Sequence, residues 1–376
     1  MIFTSNYFHY IPYLCKTKIQ QIKMINAVKQ NVSINDIVSV IKNFKAWFEN
    51  ARPIALPQSI LPAITAVAIS FSYAESHNVE FSIVFSILAI IGVAFCHLAA
   101  NLLDDYFDYK SQGLDYRREV SHKGIRSRIH KCPYLSDGSN TINQLLAACI
   151  VFLGIVAIIG GITWLYRGNV ILLISAVAGL LAISYSGFPF RFSYKGLGEV
   201  VIGLMFGPLA MLGVFYAAVG TFDEMLFYFS IPLGLLVINI IYTHSIIDIE
   251  ADKEANKRTL AVLIGNKKAM IFVSFLINLL PFIIIALGVV FGLISAWYLL
   301  VFLTLPMAIH LLYLLIQFQK HPHKEFSPRL WMGPFEKWEA KKEAGIGWFL
   351  IRWMLARNLV TFFGIIITIV SIVLGI

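Results

Sequence analysis

The chain has 376 residues, 58% of them hydrophobic and 14% charged, with 29 Phe, 16 Tyr and a mean hydropathy of +0.75, a composition that excludes an ordinary soluble domain. Its 30 Lys and Arg against 21 Asp and Glu give a formal net charge of +9. Basic loops that set membrane topology and attract anionic lipid account for that excess, so no nucleic-acid partner is expected, and nothing in the sequence calls for an obligate protein partner.

Residues 1–50 read as an N-terminal cytoplasmic or interfacial segment. The residues up to about Lys23 carry no signal-peptide pattern; with Met24 available as a second start, they read as a dispensable extension. From Met24 to Asn50 the pattern is that of an interfacial helix with Ile, Val and Phe on one face. Residues 51–376 form the transmembrane domain. Uncharged stretches of spanning length recur there, and residues 81–103 contain no Asp, Glu, Lys or Arg. Lipid leaves a helix as the only outlet for such segments, since each unpaired backbone group costs several kcal/mol. The expected fold is all-α and polytopic, with nine spans at about 54–74, 81–103, 142–164, 170–188, 197–219, 224–247, 269–292, 295–317 and 355–375.

With a cytoplasmic N-terminus, the loops after spans two, four, six and eight are cytoplasmic. They hold Lys110 to Lys131, Arg191 with Lys195, Lys253 to Lys268, and Lys320 to Lys342, leaving only Arg167 of the 30 basic residues on the far side. This is the positive-inside pattern of an inner-membrane protein, and it puts Ile376 outside. Cys15, Cys96, Cys132 and Cys149 form no C-x-x-C pair, so neither a disulfide framework nor a zinc site is indicated.

Span two runs into Asn101-Leu-Leu-Asp104-Asp105-Tyr-Phe-Asp108, whose polar residues stand at i, i+3, i+4 and i+7 and share one helical face. Span six runs into His244-Ser-Ile-Ile-Asp248-Ile-Glu-Ala-Asp252, where the spacing of four aligns His244, Asp248 and Asp252 and turns Glu250 away. Solvated charge at a helix end explains one isolated Asp but not two stripes. Like charges one turn apart cost tenths of a kcal/mol each, an Asp in the membrane interior costs roughly 2.5 to 3.5 kcal/mol, and helix C-termini disfavour anions. A bound cation reverses these penalties. Carboxylate donors with no Cys and little His select a hard ion such as Mg²⁺, which holds one or two carboxylates together with waters and a substrate phosphate. Arg191, Lys195, Lys257 and Arg258, all on the same side, are candidates for the phosphate oxygens.

At these residues the sequence resembles the UbiA superfamily of membrane prenyltransferases, most closely the 1,4-dihydroxy-2-naphthoate polyprenyltransferases of menaquinone synthesis. The resemblance extends from Ala51-Arg52-Pro53 onward. It is carried by the first acidic motif, continued by Lys110-Ser-Gln-Gly113-Leu-Asp115, and by Asp248-Ile-Glu-Ala-Asp252-Lys-Glu-Ala-Asn-Lys257-Arg258-Thr259-Leu260. Between them Tyr185-Ser-Gly-Phe-Pro189-Phe-Arg191-Phe-Ser-Tyr194-Lys195-Gly-Leu-Gly198-Glu199, followed by Phe206-Gly207-Pro208, is similar to the naphthoate branch. The chain departs from the family at Asp104, Ser245, Ile247 and Pro189, and its loop from Tyr116 to Ser136 is longer and more basic; these changes fall in the pocket and its lid.

The resemblance implies nine helices bundled around a central cavity with both motifs at its cytoplasmic mouth. It also implies transfer of a polyprenyl group from an allylic polyprenyl diphosphate to an aromatic acceptor. Asp105 and Asp108 would hold one Mg²⁺ and Asp248 and Asp252 the other. Asn101, Asp104 and Asp115 would orient ligands or substrate, Arg191, Lys195 and Lys257 or Arg258 would hold the diphosphate, and Tyr106, Phe107 and Tyr185 would shield the carbocation. Two other readings compete. One is a relative acting on hydroxybenzoate, haem, chlorophyll or a lipid; the other is a cation-coupled transporter, which would place its carboxylates on broken helices near the midplane.

Overall fold

The computed structural model describes residues 32–112, 132–254, 256–322 and 324–375, and every regular element among them is helical. The N-terminal part holds α1 (Ile34–Lys42), α2 (Phe44–Asn50), α3 (Pro57–His77) and α4 (Ile83–Gln112). The bundle continues with α5 (Ile142–Arg167), α6 (Asn169–Ser186), α7 (Gly198–Val219) and α8 (Phe227–Ile247). Two short helices follow, α9 (Ile249–Glu254) and α10 (Leu260–Ile264), and then α11 (Lys267–Val290), α12 (Leu305–Lys320) and α13 (Gly347–Gly375).

Eight of the nine expected spans are long and apolar enough to cross a membrane. The ninth, α3, forms as a helix of 21 residues but carries Ser59, Thr65 and Ser70, all fully buried. Its polarity is spent on neighbours rather than on lipid. Thr65 Oγ1 lies 3.0 Å from Thr368 Oγ1 of α13, and Ser59 Oγ lies 2.7 Å from His97 Nδ1 of α4. The count of nine is therefore approximate when judged by apolarity alone.

Two further boundaries move for identifiable reasons. α13 starts at Gly347, not near 355, because Arg352 sits inside the helix fully buried. Its Nε donates to the Leu314 carbonyl at 3.0 Å, another nitrogen donates to the Trp348 carbonyl, and its guanidinium lies 5.2 Å from the Phe318 ring centre. The single interfacial helix expected over Met24–Asn50 is two helices broken at Asn43, with residues up to 31 outside the described set. Ser33 and Asp36 form a capping box that starts α1. Val40 and Trp47 are buried in the cluster that joins these helices to α4 and α5.

The bundle is built around α8. In an 18-residue apolar window of the span Glu224–Ile247, 61% of residues are buried, against 22% in the corresponding window of α4. Inside the bundle Asn239 and Asn278 exchange amide hydrogen bonds of 2.9 and 3.1 Å, tying α8 to α11 through a pair of amides that satisfy each other in the apolar core. α7 and α8 run antiparallel and touch through glycines. A Cβ on Gly207 would lie 2.5 Å from the Gly234 Cα, and one on Gly234 would lie 2.7 Å from the Gly203 carbonyl. Next to this contact α7 makes a π turn, Met205–Leu209, around Pro208, which lacks an N–H. Close backbone contact fixes the start of α7 against the end of α8, where the second acidic motif begins.

Gly234→Leu should therefore lower the melting temperature by an amount equivalent to about 1 to 3 kcal/mol of overpacking. Gly154→Leu, at a position with nothing within 4 Å of its would-be Cβ, should be neutral in the same detergent. Equal tolerance of both would show that α7 and α8 do not meet through these glycines.

Candidate active site

α4 does not stop where its apolar stretch ends. It continues to Gln112, so Asn101, Asp104, Asp105 and Asp108 fall on successive turns at one end of the bundle, and Asp105 and Asp108 are each only 1% exposed. The chain reaches them first from the N-terminal side. Arg52 adopts a left-handed conformation (φ 62°) before Pro53; a residue preceding proline is disfavoured in the right-handed helical region. This turn ends α2 and faces Arg52 toward α4. Its Nη2 donates to the Asn101 carbonyl at 3.0 Å and lies 3.3 Å from Asp105 Oδ1 and 3.9 Å from Asp104 Oδ2. The Asn101 amide returns a 2.9 Å bond to the Ala51 carbonyl. Burial works against the charge on Arg52, yet Asp105 and Asp104 hold its pKa above the ordinary value. On the other side the Tyr134 hydroxyl donates to Asp105 Oδ2 at 3.1 Å. Burial pushes that phenol up, with Asp105 adding to the effect.

The segment between α6 and α7 arrives next. Ser186, at the end of α6, donates to Asp104 Oδ1, and Tyr194 donates to Asp108 Oδ1 at 2.6 Å. Arg191 lies 4.3 Å over the Tyr194 ring, and Lys257 lies 5.4 Å from the same ring centre.

The second motif does not continue as one helix. α8 ends at Ile247 and α9 begins at Ile249. Asp248 and Asp252 remain one turn apart, joined by the Asp252 N–H to the Asp248 carbonyl at 2.8 Å, and are 2% and 4% exposed. His244, expected on the same face, packs against Phe349 of α13 with the ring centres 4.8 Å apart and the rings tilted by 35°. Glu250 points away as expected, with its side chain 78% exposed and paired with Lys253 at 3.3 Å. The chain then folds back through a 2.8 Å bond from the Lys257 N–H to the Asp252 carbonyl. That turn carries Lys257 Nζ to 3.1 Å from Asp108 Oδ2, so a cation of the second motif pairs with a carboxylate of the first.

Residues 61–333 match the UbiA prenyltransferase family. The chain belongs to that family. Over 259 residues it is 29% identical to the 1,4-dihydroxy-2-naphthoate octaprenyltransferase of Bacillus subtilis (strain 168), covering 68% of this chain and 77% of that protein. It is 27% identical over 284 residues to the UbiA prenyltransferase domain-containing protein 1 of Homo sapiens, covering 71% and 76%. A solved UbiA homologue from Archaeoglobus fulgidus bound to GPP and Mg²⁺ superposes with a TM-score of 0.51 at 17% identity, covering 88% of this chain and 97% of that one. The protein is thus a multi-span membrane prenyltransferase.

Among the positions singled out from the sequence, the structure brings together Asn101, Asp104, Asp105, Asp108, Arg191 and Lys257, with Asp248 and Asp252 buried at the same end. Tyr185 lines a cleft with Ser193, Gly198, Glu199, Ile241, Ser245, Lys257 and Thr259. Lys195 and Arg258 are exposed. Asp115 lies outside the described residues, as does most of the basic loop before Cys132. Of the aromatics, Tyr106 is buried in the cluster shared with α5, with Lys110 over its ring at 5.0 Å, and Phe107 packs against Gly187. Neither Tyr106 nor Phe107 borders the cleft.

No three His, Cys, Asp or Glu side chains among the described residues form a ready-made metal cage. The donor set still fits Mg²⁺, which binds through one or two carboxylates and leaves its remaining positions to water and substrate phosphate. Four buried carboxylates, divided between α4 and the α8–α9 junction, supply that number at each motif.

Sequence reading left unassigned Arg52, Tyr134, Ser186 and Tyr194, the partners that hold the carboxylates. Ala51-Arg52-Pro53 was visible as a motif, and its proline was the one local signal that the arginine sits at a turn. We expect Asp105→Asn to abolish turnover and also to lower the melting temperature of the metal-free protein, because Arg52 loses its partner. Adding Arg52→Met should then cost less than the two single losses summed. Glu250→Gln should keep most activity; a loss equal to that of Asp248→Asn would refute the assignment of faces.

Proposed function

We propose that the protein transfers a polyprenyl group from an allylic polyprenyl diphosphate to an aromatic acceptor, 1,4-dihydroxy-2-naphthoate, giving a demethylmenaquinone-type product and CO₂. The observation that carries this reading is the pairing of Asp108 with Lys257 at 3.1 Å. It gathers both acidic motifs and their cations at one end of the bundle, the arrangement an anionic diphosphate needs and a midplane transport site does not. The naphthoate acceptor is supported by the name of the B. subtilis relative and by the Tyr185 to Glu199 segment.

Mg²⁺ bound at Asp105 with Asp108 and at Asp248 with Asp252 would supply the positive charge that makes diphosphate a good leaving group. The protein does the rest with its own groups. Arg191 and Lys257 flank the Tyr194 ring, within reach of phosphate oxygens, and the stacked ring limits how far either cation can swing. Ser186 and Tyr194 hold the carboxylates of Asp104 and Asp108 in fixed rotamers, which cuts the cost of organising them when substrate arrives. The prenyl chain stays in lipid while its head group meets the buried polar end. By the distribution of basic residues, this end faces the cytoplasm.

Purified protein supplied with an allylic polyprenyl diphosphate and a panel of aromatic acceptors should prenylate the dihydroxynaphthoate in preference to hydroxybenzoate. EDTA should stop transfer and Mg²⁺ restore it. Transfer that persists without divalent ions would defeat the mechanism, and preference for another acceptor would replace the naphthoate assignment while leaving the reaction class. Cysteines placed at Asp223 and Lys337 should label from opposite sides of the membrane; labelling from one side would overturn the topology.

A further inference from the structure

Glu199 is a carboxylate that the diphosphate chemistry does not use. It opens α7, is 2% exposed, and is held by two donors, the Ser245 hydroxyl at 2.7 Å and the Leu260 N–H at 3.1 Å. Both bonds fall on Oε1, and no described residue donates to Oε2. Thr259 lines the same cleft, is 6% exposed, and its Oγ1 has no hydrogen-bond partner. A buried hydroxyl left without a partner is costly to the fold unless something pairs with it, and the second carboxylate oxygen of Glu199 lies at the same cleft, open to a donor.

The chemistry of the pair selects the ligand. A carboxylate in a dry pocket repels phosphate, so this part of the cleft is unsuited to the diphosphate. One hydroxyl group satisfies both open positions, donating to Glu199 Oε2 and accepting from Thr259 Oγ1. The Tyr185 ring on the cleft wall offers a flat apolar face to an arene, and Lys257 connects the cleft to Asp108.

We propose that Glu199 and Thr259 bind a ring hydroxyl of the aromatic acceptor, and that Glu199 takes its proton as the ring attacks. The proposal rests on the transferase reading above. As the allylic C–O bond breaks, its electron pair leaves with the diphosphate. The ring carbon forms the new C–C bond, the O–H pair becomes the C=O π bond, and the proton passes to Oε2. With a carboxylated acceptor this gives a β-keto acid. Loss of CO₂ restores the aromatic ring as an aryloxide, which recovers the proton from Glu199. No oxidant or reductant is consumed.

Glu199→Gln keeps the size of the side chain and an oxygen to accept from Ser245 and Leu260. In the full-length, Mg²⁺-loaded protein, transfer to dihydroxynaphthoate should fall by about 10²- to 10³-fold, the usual loss for a general base. Acceptor-independent release of pyrophosphate from the allylic diphosphate, and the KM for that substrate, should stay within about twofold. Transfer close to wild type, or parallel loss of transfer and pyrophosphate release, would overturn the proposal. Thr259→Val removes a hydroxyl the fold does not bond and should raise the acceptor KM by about fivefold, the worth of one hydrogen bond. An unchanged acceptor KM would overturn the proposal even if Glu199→Gln failed to accumulate. Failure of the transferase reading has a separate signature, a wild type that prenylates no acceptor. Direct fluorescence titration with dihydroxynaphthoate then decides the subsite: binding lost in both variants supports it, and binding retained in both ends it.

Discussion

Burying negative charge at the end of an apolar bundle is the constraint around which this structure is organised. Four aspartates are at most 4% exposed, and an ionised carboxylate in such a place persists only with cations or donors against it. Around Asp105 and Asp108 the protein supplies Arg52, Tyr134, Tyr194 and Lys257. These come from four well-separated parts of the chain, so the cluster exists only when the turn before α3, the residues before α5, the α6–α7 segment and the turn after α9 are all in place. The need to pair these buried carboxylates also assembles the site.

Much of this was legible in the sequence, for reasons that particular residues make plain. The i, i+3, i+4, i+7 spacing from Asn101 to Asp108 located a carboxylate face because α4 stays helical through the motif. The same argument worked less well at the second motif. Asp248 and Asp252 keep their one-turn relation across the break between α8 and α9, while His244, within α8, packs on Phe349. Periodicity describes a continuous helix and says nothing of where one stops. At α13 the expected start near 355 came too late, because Arg352 lies inside the helix, held by the Leu314 carbonyl and the Phe318 ring. Polar α3 shows the converse, a helix of the bundle that hydropathy alone does not count.

What remained hidden was pairing over long separation. Nothing local to Tyr134, Ser186 or Tyr194 distinguishes it from other polar residues of a membrane-protein loop, and each is defined only by the aspartate it meets. The choice among the cations has the same origin. Lys195 and Arg258 lie within the same motifs as Arg191 and Lys257, yet they are exposed, because the turns that aim one residue of each pair inward aim its neighbour outward.

The contact between α7 and α8 links the bundle to this chemistry. Gly203, Gly207 and Gly234 let the two backbones touch, and since the helices are antiparallel, the close approach puts the first turn of α7 beside the last turns of α8. Ser245 reaches Glu199 for that reason, and the Leu260 N–H completes the hold on the same oxygen. The Ser245 hydroxyl is short and occupies Oε1 alone. A side chain with two amide hydrogens could reach both carboxylate oxygens and close the position that the cleft leaves open. Ser245 therefore sets how many donors Glu199 meets, and it leaves Asp248, one turn further along the chain, undisturbed.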